Sequence, residues 1–184
     1  MDGAMLRKTS VRRALAVPKC GTMPPMSDGK PVTGRGPNLD EKAKRIIELL
    51  QADGRMSYSA IAKDVGLSEA AVRHRVQRLI EGGVVQIVAV TDALQMGFAR
   101  QAMIGIKVTG NVQDVAAELG EMDELDYIVI TTGRFDILAE LVAESDDELL
   151  DIVSQRISAI GGVVTTETFV YLRLVKQTYA WGVI

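Results

Sequence analysis

Apolar positions between residues 38 and 83 recur at a helical spacing and are interrupted by short polar turns. The earliest apolar stripe consists of Ile46, Ile47, Leu49 and Leu50. Asn38 stands three residues before Glu41, the spacing of a capping box, and Gly54 can end a helix in the left-handed conformation. We therefore predict a first amphipathic helix over about residues 40–52.

Two further helical stripes follow, separated by a turn of two residues at 66–67. The candidate N-caps are Ser57 or Ser59 for the second helix and Ser68 for the third helix, predicted over residues 69–81. Two helices joined by a short turn with glycine are typical of the helix-turn-helix, and residues 57–82 have this arrangement. The valine-rich run at 84–90 is predicted to form a strand, the wing of a winged helix-turn-helix.

After residue 100 the pattern changes to alternating strands and helices. Strands are predicted at residues 100–108, 126–132, 136–143 and 163–175, and helices after the N-caps Asn111 and Ser145. This β-α-β-β-α-β order predicts a ferredoxin-like, four-stranded antiparallel sheet with both helices on one face. The expected fold class is thus α+β, a winged helix-turn-helix followed by a ferredoxin-like domain for ligand sensing and dimerisation.

The last predicted strand is apolar on both of its faces. One face carries Val164, Val170, Leu172 and Leu174, and the other carries Phe169, Tyr171 and Val175. Because a sheet with helices on one face must cover its other face, we predict that two copies pair their sheets face to face. A two-fold dimer of this kind would present two recognition helices to DNA half-sites about one helical turn apart.

These patterns divide the chain into five segments. They are a basic tail at 1–37, the winged helix-turn-helix at 38–90, a linker at 91–99, the ferredoxin-like domain at 100–178 and a C-terminal tail at 179–184. The first segment holds all five prolines and no sustained apolar period, a composition typical of disorder. Met26, inside this segment, is a candidate translation start besides Met1.

The net charge of −3 is unevenly distributed along the chain. The balance is +5 for residues 1–37, 0 for 38–99 and −8 for 100–184. The first half can therefore approach DNA, whereas phosphates would repel the C-terminal domain. No apolar run in the sequence is long enough to span a membrane, so we expect a cytoplasmic, nucleoid-associated protein.

The sequence contains no recognisable catalytic, metal-binding or cofactor-binding motif. The single cysteine, Cys20, allows neither an intramolecular disulfide nor a metal cluster, and it lies far in sequence from the single histidine, His74. A phosphate-binding glycine loop is also missing. We therefore expect neither an enzyme nor a cofactor. The alternative is an enzyme or an enzyme-regulatory subunit, since ferredoxin-like domains also sense amino acids in biosynthetic enzymes.

The third helix, drawn on a wheel of about 100° per residue, buries a stripe around Val72 and exposes a polar face. The residues predicted to contact DNA are Ser68, Ala70, Arg73, His74, Arg75, Gln77 and Arg78. Gln77 can pair with adenine, and Arg78 can donate hydrogen bonds to guanine or to a phosphate. The start of the helix at Ser68 can bind a phosphate. The alternative is a solvated helix face, which three arginines by themselves would also make.

The DNA-binding half resembles that of the Lrp/AsnC (feast/famine) transcriptional regulators. The matching positions are the run 57–68 and Val72, Arg75, Val76, Arg78, Leu79, Gly83, Val84 and Val85, together with Leu39, Asp40, Asp92 and Gly97. The run 133–136, Gly-Arg-Phe-Asp, matches the Gly-x-aromatic-Asp turn of that family's effector domain. The resemblance covers residues 38–178 and departs from many relatives at residues 86–88, in the wing.

This resemblance implies a dimer joined through the C-terminal sheets, dimers that build octamers, and an effector amino acid bound in clefts between dimers. The effector-binding residues that it implies are Thr132, Gly133, Arg134, Phe135 and Asp136, with Thr131 adjacent. Asp136 could accept a hydrogen bond from an α-amino group, and the amides around Gly133 could donate to a carboxylate. Alternatively, these residues make only a hairpin turn.

The sequence therefore predicts a sequence-specific DNA-binding transcriptional regulator. Its expected partners are double-stranded DNA, a small-molecule effector such as an amino acid, and further copies of itself. The alternative within the same family is an architectural protein that wraps DNA as an octamer without a ligand.

Overall fold

The computed structural model describes residues 39–180 and 182–183. The predicted basic tail at 1–37 and the predicted cap Asn38 lie outside the described residues. The chain forms two compact units. The first unit consists of the described residues up to Val88 together with those from Tyr179 onward. The second unit is Ala89–Thr178.

Three helices make up the first unit. They are α1 at Glu41–Ala52, α2 at Tyr58–Val65 and α3 at Glu69–Glu81, with Asp40, Ser57 and Ser68 as their N-caps. The predicted cap of α1 is corrected from Asn38 to Asp40, whose Oδ1 accepts a hydrogen bond from the Ala43 N–H at 2.7 Å. Asn and Asp are equally good N-caps, and Asp40 has this role because it directly precedes the first helical residue, Glu41.

The three helices enclose an aliphatic core. Its fully buried members are Ile46, Ile61, Val72 and Val76. Gly66 adopts the left-handed conformation, with φ 64°, and so reverses the chain between α2 and α3. Val183 packs against the same core, so residues far apart in the sequence complete this unit.

Residues 84–90 do not form the predicted wing strand but are irregular. A strand needs a neighbour to satisfy its backbone hydrogen-bonding groups, and none of the described strands pairs with this segment. Val88 and Val90 are consequently 59% and 58% exposed. The β-prone sequence of this segment is therefore not sufficient to make a strand within one chain.

The second unit is a four-stranded antiparallel sheet with helical crossovers. Its strands are β1 at Arg100–Val108, β2 at Leu125–Ile130, β3 at Ile137–Ala143 and β4 at Val163–Val170. Its helices are α4 at Val112–Leu119 and α5 at Asp146–Asp151, which continues as a π-helical segment at Ile152–Ile157. The strand order β2-β3-β1-β4 confirms the predicted ferredoxin-like arrangement.

The core of the second unit lies on one face of the sheet. It contains Ala102, Ile104 and Ile106 of β1, Ile137, Ala139 and Leu141 of β3, and Val115, Leu119, Ile152 and Ile157 from the helical segments. The alternate residues of the strands point to the opposite face, which we call the open face. The open face includes Gln101, Met103, Gly105, Tyr127, Leu138, Glu140, Val142, Glu167 and Phe169.

Strand β4 ends at Val170 and not at residue 175 as predicted. Its last pairing with β1 is the hydrogen bond from Tyr171 N to Gln101 O, at 2.8 Å. Because β1 begins at Arg100, the residues after Tyr171 have no strand beside them. Leu172 and Val175 are accordingly 95% and 88% exposed, so the predicted two-faced strand does not extend through them.

The helix after Ser145 is not α-helical throughout, because it widens into a π-helical segment at Ile152. Ile152 and Ile157 are both fully buried and are five residues apart. The π-helix forms hydrogen bonds between residues five apart, as seen from Ser158 N to Val153 O, and this spacing keeps both isoleucines on the core side. No helix among the described residues is long and apolar enough to cross a membrane.

Candidate nucleic-acid interface and effector turn

Helix α3 exposes most of the side chains that the sequence assigned to DNA. Ala70, Arg73, His74, Gln77 and Arg78 are exposed, whereas Arg75 is half-buried. The Ser68 hydroxyl accepts a hydrogen bond from Ala71 N at 3.2 Å and so begins the helix. The exposed side chains differ in how they are engaged within the protein.

Two of these polar side chains pair along α3 itself. Arg73 donates to Glu69, with its Nη2 2.9 Å from the carboxylate, and its guanidinium lies 5.2 Å from the centre of the Tyr58 ring. Gln77 donates to Glu81 at 2.8 Å. The two contacts with Glu69 and Glu81 join residues four apart on one helix, each typically worth only a few tenths of a kcal/mol, and DNA can replace them at little cost.

Arg75, which the sequence also assigned to DNA, is half-buried at the edge of the exposed face. Its Nη1 is 2.9 Å and 2.8 Å from the two carboxylate oxygens of Asp40, the N-cap of α1. The hydrogen bond from Ala43 N and the Arg75 guanidinium hold the pKa of Asp40 below its usual value. An arginine engaged in this way joins two helices of its own unit.

His74 and Arg78 remain as the unengaged polar side chains of the α3 surface. Both are exposed, and neither makes a hydrogen bond or an ion pair with any residue that the structure describes. They lie four residues apart on one helix and therefore project from the same side. Arg78 offers five N–H donors in a fixed plane, which suits the acceptor edge of guanine or a phosphate.

A second aspartate–arginine pair, which sequence reasoning did not find, joins α1 to α2. Arg45 Nε and Nη2 donate to the two oxygens of Asp64 at 2.7 Å and 3.0 Å. This pairing raises the pKa of Arg45 and lowers that of Asp64. The partners are nineteen residues apart, so no local spacing in the sequence could have identified them.

The predicted effector turn is a tight connection between β2 and β3. Thr131 N donates to Asp136 O at 2.8 Å, and Thr131 Oγ1 donates to Phe135 O at 2.7 Å. Gly133 has φ 124°, a conformation that residues with a side chain rarely adopt. Thr132, Gly133 and Arg134 are exposed at the tip of the turn.

Asp136 binds the sheet at the point where its strand pairing is irregular. Its Oδ2 accepts a hydrogen bond from Val108 N at 2.8 Å, where the pairing of β1 with β4 shifts register, and its Oδ1 lies 3.1 Å from Lys107 Nζ. The Val108 N–H and the Lys107 ammonium keep the pKa of Asp136 below its usual value. The carboxylate therefore accepts a hydrogen bond from the Val108 N–H, which the shifted strand pairing leaves without a backbone partner.

Phe135 lies flat against the open face of the sheet. A Cβ atom on Gly105 would come within 2.7 Å of its ring carbons, so the ring occupies the space that the glycine leaves. Phe169 meets the ring edge to face, with centroids 6.0 Å apart. Arg134 lies over the same ring at 5.3 Å and forms an ion pair with Glu167 at 2.8 Å, so two predicted effector residues lie on the open face.

The open face also carries a polar group of three residues. Gln101 Nε2 donates to Glu140 Oε1 at 2.8 Å, and the Tyr171 hydroxyl is hydrogen-bonded to the same carboxylate. Burial and the neighbouring Glu140 raise the pKa of Tyr171 to about 12. Sequence reasoning noted Tyr171 only as an apolar position and did not find Glu140, because cross-strand neighbours depend on register.

The lowered pKa of Asp136 predicts a pH-dependent contribution to stability. Because the pKa is lower in the folded state than in the unfolded state, this contribution is present above about pH 4 and is lost as the pH falls through the folded-state pKa. We expect Asp136→Asn to lower the thermal midpoint at pH 7 and the difference to shrink towards pH 2. Asp114→Asn, exposed on α4, is the control, and a constant offset for Asp136→Asn over this range would contradict the prediction.

Comparison with known proteins identifies both units. Residues 39–80 match the family model of the AsnC-type helix-turn-helix domain, and residues 98–184 match that of the PF0864 C-terminal dimeric alpha+beta barrel domain. An HTH-type transcriptional regulator of Pyrococcus furiosus is 36% identical over 144 residues, which cover 77% of this chain and 97% of the relative.

Solved structures agree with these matches. The leucine response regulatory protein LrpA of Mycobacterium tuberculosis superposes with a TM-score of 0.69 at 28% identity, covering 76% of this chain and 96% of that one. A transcriptional regulator of Neisseria meningitidis has the same fold, with a TM-score of 0.67 at 22% identity and coverages of 79% and 96%. The chain therefore belongs to the Lrp/AsnC family of DNA-binding transcriptional regulators, which are not enzymes, and its C-terminal domain is of a dimeric type.

Proposed function

We propose that the protein reads specific DNA sequences as a dimer, through the exposed face of α3, and that an amino acid or related metabolite at residues 131–136 modulates this binding. The observation that carries the DNA part is the pair His74 and Arg78, exposed and unengaged on one side of the helix that follows the turn. Because these two side chains have no hydrogen-bond partner among the described residues, binding to bases would break no hydrogen bond between them and those residues.

The remaining contacts that we propose surround this pair. Ser68 and the first amides of α3 would donate to a phosphate, since a helix N-terminus carries partial positive charge. Ala70 is small and allows the helix end to approach a groove. Arg73 and Gln77 would exchange their intrahelical carboxylate partners for DNA, Gln77 with adenine as its best match.

Dimerisation through the open face supports this function. The residues from 38 to 99 carry no net charge, so this part of one copy has little long-range attraction for DNA. Tyr127 and Phe169 are 52% and 44% exposed on the open face, where the helices of the unit do not reach. Pairing two open faces would bury these rings and place two α3 helices on one DNA site. Octamers of four such dimers would follow the behaviour that the family resemblance implies.

The effector part of the proposal rests on the turn at 131–136. Asp136 Oδ1 is paired with Lys107, which is exposed enough to be displaced by an α-amino group, while Oδ2 keeps its bond to Val108. The exposed amides around Gly133 would receive the carboxylate. The regulator of Neisseria meningitidis with this fold was solved in complex with L-Met. We place the effector at Thr132, Gly133, Arg134, Phe135 and Asp136, in clefts between dimers.

A thermal-shift screen of the full chain against the twenty amino acids tests the effector part. We expect at least one amino acid to raise the thermal midpoint of the unaltered protein and not that of Asp136→Ala. Asp136→Asn, which keeps an acceptor for Val108, separates loss of the site from loss of the fold. If no amino acid stabilises the protein, or if Asp136→Ala responds equally, the proposed effector site is wrong.

One observation favours the second candidate function, a ligand-independent architectural protein. Asp136 is already satisfied by Val108 and Lys107 without any ligand. DNase footprinting separates the two functions. Short protected sites that change when an amino acid is added support the regulator with an effector. Long protected tracts of bent DNA that do not change with any amino acid support the architectural protein.

A further inference from the structure

Three pairs of side chains join the three helices of the first unit on their surface, in addition to their aliphatic core. Arg45 and Asp64 join α1 to α2, and Tyr58 and Arg73 join α2 to α3. Asp40 and Arg75 join the N-terminus of α1 to the middle of α3. The third contact is the one that bears on the helix proposed to read DNA.

Asp40 performs two tasks with one carboxylate. Its Oδ1 accepts from Ala43 N at 2.7 Å and so begins α1, while both of its oxygens lie within 2.9 Å of Arg75 Nη1. The start of α1 and the midpoint of α3 are thereby fixed to the same carboxylate. The side chain of Arg75 is 35% exposed, and its guanidinium is directed to α1.

We propose that Asp40 and Arg75 are positioning residues for DNA recognition: together they set the rotation of α3, and Arg75 does not itself contact DNA. The inference rests on the proposed reading of DNA through α3. Arg75 is adjacent to His74 and one turn from Arg78, so any rotation that it prevents would move both of those side chains.

The aliphatic core fixes which side of α3 faces inward, and the pair of Asp40 and Arg75 adds a directional restraint on its rotation. Val72, Val76 and Leu79 pack on the inner side of α3, and such contacts are non-directional. Charge-assisted hydrogen bonds depend on direction as well as distance. Side-chain atoms lie about 6 Å from a helix axis, so a rotation of about 10° moves them by about 1 Å, enough to break a hydrogen bond to a base.

A double-mutant cycle on the full chain tests the proposal. Asp40→Asn keeps a good N-cap for α1 and removes the charge that holds Arg75, while Arg75→Gln removes the guanidinium. The probes are a duplex selected from a random-sequence library by the unaltered protein, and the unselected library as the non-specific reference. Affinity is measured by fluorescence anisotropy over a range of salt concentrations.

We expect each single variant to bind the selected duplex about threefold more weakly, the scale of an exposed ion pair, and the double variant to be no weaker than either. Binding to the unselected library should not change. The salt dependence should also be unchanged, because no phosphate contact is lost. Asp64→Asn is the matched control: it breaks the pair between α1 and α2 and should leave the affinity for the selected duplex unaltered.

Several results would overturn the proposal. If Arg75→Gln lowers the slope of log affinity against log salt by about 0.9 while Asp40→Asn has no effect, Arg75 contacts a phosphate. Tighter binding by Asp40→Asn would mean that Asp40 withholds Arg75 from DNA. An equal loss of affinity in Asp64→Asn would mean that the weaker binding reflects a less stable domain and not the rotation of α3. If the unaltered protein selects no duplex, the proposal that α3 reads DNA is wrong. That outcome differs from the results that would overturn only the role of Asp40 and Arg75.

Discussion

Replacing Arg78 with alanine is expected to weaken binding to the selected duplex by about tenfold to a hundredfold, the range for losing one bidentate arginine–base contact. Arg78 is exposed on α3 and has no partner among the residues that the structure describes, so the substitution leaves no internal group unsatisfied. The thermal midpoint should therefore stay where it is. Anisotropy with the selected duplex and a thermal melt of the same sample measure both quantities.

The matched control for Arg78→Ala is Arg173→Ala. Arg173 is also exposed but lies in the second unit, so this variant removes the same charge away from α3. We expect little change in its affinity. His74→Ala, one turn before Arg78, should weaken the same complex. Unchanged affinity in both α3 variants would show that this face does not read DNA.

The second large effect is expected from Gly105→Ala. The new methyl group would lie 2.7 Å from the ring carbons of Phe135, so the ring must shift away from the sheet and disturb its edge-to-face contact with Phe169. Overpacking of this kind typically costs about 1–3 kcal/mol. If the open face pairs two chains, the displaced ring would project into that interface. We therefore expect the dimer dissociation constant to rise by about tenfold or more.

Sedimentation of diluted samples measures the dissociation constant, and two variants make the result specific. Gly161→Ala adds the same methyl group where no atom lies within 4 Å and should leave the dimer intact. Phe135→Ala removes the ring, so adding Gly105→Ala to it should have no further effect. A dimer that is unchanged in Gly105→Ala would show that Phe135 lies outside the interface between the two chains.

The predictions that succeeded at the level of single elements depend on local chemistry. Ser57 and Ser68 begin α2 and α3 because a hydroxyl can accept from the N–H three residues on, an arrangement within one helical turn. Gly66 ends α2 because it adopts φ 64° without strain. The strand predicted at residues 100–108 follows from alternation in the same local way, since successive side chains of a strand point to opposite sides.

Two of the corrected predictions, and the pairing of Arg75, depend on partners distant in the sequence. Residues 84–90 have the composition of a strand, yet none of the strands that the structure describes pairs with them. Strand β4 stops at Val170 because β1 begins at Arg100. Arg75 lies at the edge of the polar face of α3, and only the structure shows that Asp40, thirty-five residues away, accepts its hydrogen bonds. A helical wheel places a side chain around its own axis and carries no information about neighbouring helices.

The sequence by itself determined three helices and the caps of the second and third, the β-α-β-β-α-β order, and the face of α3 that carries His74 and Arg78. It could do so because caps, turns and apolar periods act over a few residues. Only the tertiary structure decided which arginines are engaged, how far the strands run, and that Phe135 lies on Gly105. Those features arise where segments far apart in the chain meet, and the geometry of each meeting depends on the packing of the whole unit.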